Sequence, residues 1–205
     1  MKILMVTMGL DIGGAETHVL ELSLELVCKG HGVHVVSNGG AYEAELVNGG
    51  VICYNLPLHS RNPINIIKSY FGLRRIIKDG RFDVVHAHAR IPGFICGLLQ
   101  KNLKFRFMTT THWVFKTGFL LNNITNWGDR AIAVSDDIKE YLIKHYNYNE
   151  NHIKVTINGI NTDKFTPVAE KAHCSRRIVS VSRMDTDRSA VAFHLLDIAP
   201  DLYEI

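Results

Sequence analysis

The 205-residue sequence has no apolar run near the ~20 residues that cross a bilayer. Lys2 followed by Ile3 to Leu10 resembles the start of a signal peptide, but Asp11 and the glycines after it cut the run short. Cysteine is sparse. Cys28, Cys53, Cys96 and Cys174 are scattered without a CxxC, which argues against a disulfide framework and for a reducing compartment. Charge is nearly balanced at +3, and basic and aromatic residues do not interleave, so nucleic acid is not an expected partner. There is no G-x-S-x-G elbow, no Gly-Lys-Ser/Thr phosphate loop, no cysteine near a plausible histidine and no carboxylate pair at a strand end. Covalent hydrolase chemistry is thereby excluded from this stretch. A cytoplasmic protein is expected.

What is present is a repeating alternation of short apolar runs and helical patterns. The runs predict strands at 3–7, 33–37, 51–55, 83–88, 105–110, 130–134 and 153–157. Helices are predicted at 14–29, 41–48, 63–78, 91–101, 117–126 and 136–146. Connections this short between βα units demand a parallel sheet of about seven strands with helices on both faces, a Rossmann-like α/β fold. Ligands of such sheets bind beyond the carboxyl ends of the strands. Gly13-Gly14, Asn38-Gly39, His86, His88, His112 and Ser135 are expected to collect there. After Pro167 the periodicity stops. Residues 168–176 read as a linker, and 177–205 as one βα unit that cannot bury a core of its own. The chain thus reads as a domain at 1–167 followed by the beginning of an incomplete second one, which packs on its own sheet edge or on a second copy in a homodimer.

The first strand runs through Gly13-Gly14 into a helix carrying Ala15, Val19, Leu22 and Leu26 on one side. Backbone N–H groups and the positive helix end converge there, and glycines let an anionic group come close. The spacing is not the dinucleotide G-x-G-x-x-G, and the second strand ends in Ser37-Asn38-Gly39-Gly40 without a carboxylate for a ribose. Glycines that serve only tight strand-to-helix packing are the alternative.

His86-Ala87-His88 ends a strand with both imidazoles on one face, a pattern that metal sites use. No third ligand lies at a fitting spacing, so the pair reads as polar lining of the cleft mouth and no metal is expected. His112 also ends a strand. There it can hydrogen-bond a sugar hydroxyl or act as a base near neutral pH, while Trp113 offers a ring face to a sugar. A half-buried His–Trp pair packing the next loop is the other reading. Ser135 reads as the N-cap of the helix at 136–146. Segment 63–81 is amphipathic, with Ile67, Tyr70, Phe71 and Ile77 inward and Lys68, Arg74, Arg75, Lys78 and Arg81 outward. It is either a solvated basic face or a contact with an anionic membrane surface.

Together these segments resemble the N-terminal half of a group 1 (family 4) glycosyltransferase of the GT-B fold. The matching pieces are Gly13-Gly14-Ala15-Glu16, Asp83 to His88, Thr110-Thr111-His112, Ala133-Val134-Ser135, Ile157 to Asn161 with Phe165, and Arg183 to Ser189. The resemblance implies two Rossmann-like domains, a nucleotide-sugar donor held mainly by the second, and retaining transfer without a metal or other cofactor. By the same resemblance, Gly13 and Gly14 contact the donor diphosphate. His112 is the candidate catalytic residue near the donor sugar and acceptor, and Arg183 binds the diphosphate. Arg188 stands where the family has lysine, keeping the charge. His86, His88, Trp113, Ser135 and Asn158 are expected to line the cleft or the acceptor site. The family's E-x7-E segment does not occur in the sequence, so little or no transferase activity is expected of these 205 residues alone. The acceptor, a glycan, lipid or small molecule, is not encoded legibly. Two other classes compete: a GT-B-like sugar-nucleotide epimerase and a non-catalytic flavodoxin-like binding module.

Overall fold

The computed structural model describes residues 1–114 and 126–167. By packing, the chain divides into two units, Met1–Gly159 and Ile160–Ile205. The first holds the strands β1 (Lys2–Val6), β2 (Gly32–Ser37), β3 (Ile52–Asn55), β4 (Val84–Ala87), β5 (Arg106–Thr111), β6 (Arg130–Ala133) and β7 (Ile153–Val155). Its helices are α1 (Gly14–Cys28), α2 (Glu43–Asn48), α3 (Pro63–Gly80), α4 (Arg90–Gln100) and α5 (Asp136–Tyr146), with a 3-10 turn at Glu150–His152. The expected helix at 117–126 falls almost wholly outside the described residues. In the second unit only 160–167 are described; there Asn161 Oδ1 accepts from the N–H groups of Asp163 and Lys164, at 3.0 Å each.

All seven strands are parallel, in the order β3-β2-β1-β4-β5-β6-β7. The apolar runs dictate this. Leu4, Met5 and Val6 are almost wholly buried, because β1 sits mid-sheet with helices on either side. Period two divides its side chains. Leu4 and Val6 join Val85, Ala87 and Phe107 beneath α3 and α4, where Leu73, Ile77, Ile95 and Leu99 meet them. Ile3 and Met5 turn the other way, with Val33 and Val35, towards Val19 and Leu20 of α1 and Leu46 of α2. Each fully buried aliphatic side chain contributes about 1.5–3 kcal/mol relative to exposure.

Strand order reverses between β1 and β4, since the chain winds outward to β3 and then crosses back. That switch point is where sheets of this kind bind ligands. The loop leading into α1 is held there by its neighbour: Leu10 N–H donates to Gly39 O at 2.9 Å, Tyr42 N–H to Leu10 O at 2.9 Å, and Asn38 N–H to Met8 O at 3.1 Å.

Helix α3 differs from its sequence reading. Asn62 caps it, its Oδ1 accepting from Ile64 N–H at 2.9 Å, and Pro63 opens it. Its inward stripe is Ser69, Leu73 and Ile77, four residues apart, with Ile66, Tyr70 and Ile76 half-buried beside it. Ile67 and Phe71, expected inward, are 57% and 62% exposed. The segment carries more apolar residues than one helix face can hold, and the i, i+4, i+8 spacing selects which of them enter the core. Ile64, Ile67 and Phe71 are left as a second apolar stripe facing solvent.

Candidate functional site

The site gathers on the α1 side of the sheet, where β1, β4 and β5 end. Val85 and Ala87 point to the α3/α4 core, so the alternation turns His86 towards α1. It pairs in register with Met5 on one side and Met108 on the other. His88, just past the strand, is anchored by its N–H to Val6 O at 2.9 Å. On β5, Phe107 belongs to the α3/α4 core, so Thr110 and then His112 face the same way as His86. His86 Nε2 and Thr110 Oγ1 hydrogen-bond at 2.7 Å. From α1, His18 reaches the same spot, its ring centroid 4.9 Å from that of His112 and 5.6 Å from that of His88. The His86 and His88 rings are 4.0 Å apart, and His88 Nδ1 lies 3.4 Å from His112 Nε2.

Four imidazoles so close repel each other's charge, and burial penalises it further. Burial, then the nearby His18 and His112, pushes His86 down to about 3. Burial, then its three neighbours, holds His88 well below the ordinary imidazole range. Burial and His18 bring His112 to about 4. His18 is also lowered by burial, opposed by a side-chain hydrogen bond with Asn158. At neutral pH all four are uncharged. The buried thiols are inert by the same physics: burial raises Cys53 to about 11 and Cys96 to about 12.

One turn before His18 stands the glycine pair. Gly13 is the N-cap of α1 and no side chain caps the helix start. Its φ of −175° is extended backbone that any residue adopts. A Cβ placed on Gly14 would meet nothing within 4 Å. Tight packing therefore does not account for Gly14, nor backbone conformation for Gly13. Close approach by something outside the chain does.

Residues 12–164 match the model of Glycosyltransferase Family 4. The chain belongs to this family. A human relative, the A-type component of phosphatidylinositol N-acetylglucosaminyltransferase, is 26% identical over 190 residues, which cover 85% of this chain and 39% of that protein. A glycosyltransferase from Rickettsia africae ESF-5 has the same fold at 27% identity and TM-score 0.69, over 80% of this chain and 45% of that one. An Anabaena protein crystallised with UDP-glucose matches at 14% identity and TM-score 0.64, over 79% and 45%, a likeness of fold alone. The chain spans less than half the length of each.

Within this family 4 domain the expected site residues fall into three groups. His86, His88 and His112 come together, and Asn158 joins them through His18. Trp113 is 70% exposed, so it is not half of a buried packing pair. Ser135 caps α5, its Oγ accepting from Ile138 N–H at 3.3 Å. Arg183 and Arg188 lie outside the described residues. His18 is the residue that sequence reading missed. It stands three residues from Ala15 and eight from Leu26, on the inward side of α1, and a polar residue on a buried stripe is the signal that marks it.

Proposed function

We propose that this chain forms the acceptor-side domain of a retaining glycosyltransferase that moves a hexosyl group from a nucleotide-activated donor to a glycan, lipid or small-molecule acceptor. The observation that carries this reading is the uncapped α1 start at the β1/β4 switch point, with a Gly14 that the fold itself does not require. Family membership supports it, as does the likeness of fold to a protein that binds UDP-glucose. The N–H groups of the first turn and the helix dipole would stabilise charge developing on the departing diphosphate. Arg183 and Arg188, in the second domain we place after residue 176, would supply the opposing charges. With its pKa near 4, His112 is a weak base at neutral pH. Its role is to hydrogen-bond the transferring sugar rather than to take a proton. Calorimetric titration with UDP and UDP-sugars tests the reading, with weak saturable binding expected. No saturable binding of any nucleoside diphosphate would overturn it.

The exposed stripe Ile64, Ile67 and Phe71, flanked by Lys68, Arg74, Arg75 and Lys78, supports a second element. Helix α3 rests on an anionic membrane at its cytoplasmic face. No helix among the described residues is long and apolar enough to cross a membrane. Sedimentation with phosphatidylglycerol vesicles should be lost in Phe71→Glu and weakened by salt. Equal sedimentation of Phe71→Glu would remove this element.

A further inference from the structure

We propose that His18, His88 and His112 form a three-nitrogen site for a divalent transition-metal ion of the zinc class. This goes beyond the transferase reading and does not depend on it. The three side chains arrive from α1, from the turn after β4 and from the end of β5. One ligand atom from each lies within 4.8 Å of the other two.

The spacing is that of shared ligation rather than of a hydrogen bond. Two imidazole nitrogens on a tetrahedral ion, each about 2.0–2.1 Å from it, stand about 3.4 Å apart. His88 Nδ1 and His112 Nε2 are 3.4 Å apart, beyond the ~2.7–3.2 Å of a well-made hydrogen bond to nitrogen. His18 is only half-buried on its helix, so a rotamer adjustment brings its nitrogen the remaining distance. His86 is excluded as a ligand because its Nε2 is engaged by Thr110. It is a positioning residue, with its ring packed against that of His88.

The surroundings fix the tautomer that ligation needs. His88, Thr111 and Trp127 line one small cavity with room for about one water. Each has a buried polar atom without a partner: His88 Nε2, Thr111 Oγ1 and Trp127 Nε1. A water there accepts from the indole N–H and from His88 Nε2–H and donates to the threonine oxygen. That leaves the His88 Nδ1 lone pair facing His112. Metal-bound histidines are commonly held this way by their outer nitrogen. All-imidazole ligation suits zinc, copper, nickel or iron and not magnesium or calcium, which take oxygen ligands. Three protein ligands leave one position for water or an anionic oxygen in the crevice beside Gly14.

The full chain, stripped with EDTA, is titrated with zinc chloride by calorimetry and with cobalt chloride by visible absorption. One ion per chain is expected, with the intense visible bands of tetrahedral cobalt. His18→Ala and His112→Gln should each weaken binding at least about tenfold. His59→Ala, at an exposed position outside the cluster, should not. Circular dichroism and melting curves show whether each variant is folded, and His18→Ala on the half-buried helix face keeps the test open if a more buried variant is not. Absence of one-to-one binding, or binding unchanged in a folded His18→Ala chain, would overturn the site.

Discussion

The turns that start α1 and α5 both lead from a parallel strand into a helix, and they treat the helix end in opposite ways. Before α5, Ser135 turns its hydroxyl onto Ile138 N–H, and Asp136 and Asp137 follow in the first turn. The positive end is satisfied by the chain's own oxygens and closed to another anion. Before α1, Gly13 offers no side chain, and Glu16 is the one acid in the first turn. Bare glycine at such a place forgoes a few tenths of a kcal/mol that serine would supply. The α5 turn lies towards the sheet edge, whereas the α1 turn lies at the switch point. An open helix end is therefore kept where a ligand is expected, and a closed one elsewhere.

The glycines of this region divide in the same way. A Cβ on Gly40, whose φ is +145°, would stand 2.4 Å from the carbonyl carbon of Leu10 and 2.6 Å from Asp11 N. Gly40 belongs to the fold, whereas Gly14 has open space around it. Gly40→Ala should therefore give the largest loss, about 3 kcal/mol or more of unfolding free energy in urea, because neither the backbone nor its neighbour can yield cheaply. A loss below about 1 kcal/mol would show that the loop is not clamped as described. Ser135→Ala should cost about 1 kcal/mol, with no change in nucleotide binding. Smallest in stability is the reverse exchange, Gly13→Ser. It should raise the unfolding free energy by a few tenths of a kcal/mol and, by capping the helix internally, weaken UDP binding. Stronger UDP binding in Gly13→Ser would break the contrast between the two turns.

Local features were legible in the sequence and assembled ones were not. Ser135 as a cap and the seven apolar runs depend on neighbours a few residues away, and their strand and helix limits shift by only one to three residues in the structure. The inward face of α3 was read wrongly at Ile67 and Phe71 because two apolar stripes compete on one helix, and only packing chooses between them. His18 was missed as a partner of His88 and His112 because they lie 70 and 94 positions further along the chain, and strand order alone brings them together. The fall of His112 to about 4 was equally hidden, since it comes from burial and from His18. Gly14 could not be divided between packing and ligand approach until the space around its missing Cβ was known.

Whether the open α1 end is a diphosphate contact or a packing device is decided by Gly14→Val. Its melting temperature and its UDP dissociation constant should be measured beside those of the unaltered chain. The melting temperature is expected to stay unchanged while UDP binding weakens about fivefold or more, the loss of an anion contact of about 1 kcal/mol. A folded Gly14→Val chain that binds UDP as the unaltered chain does would contradict the diphosphate contact.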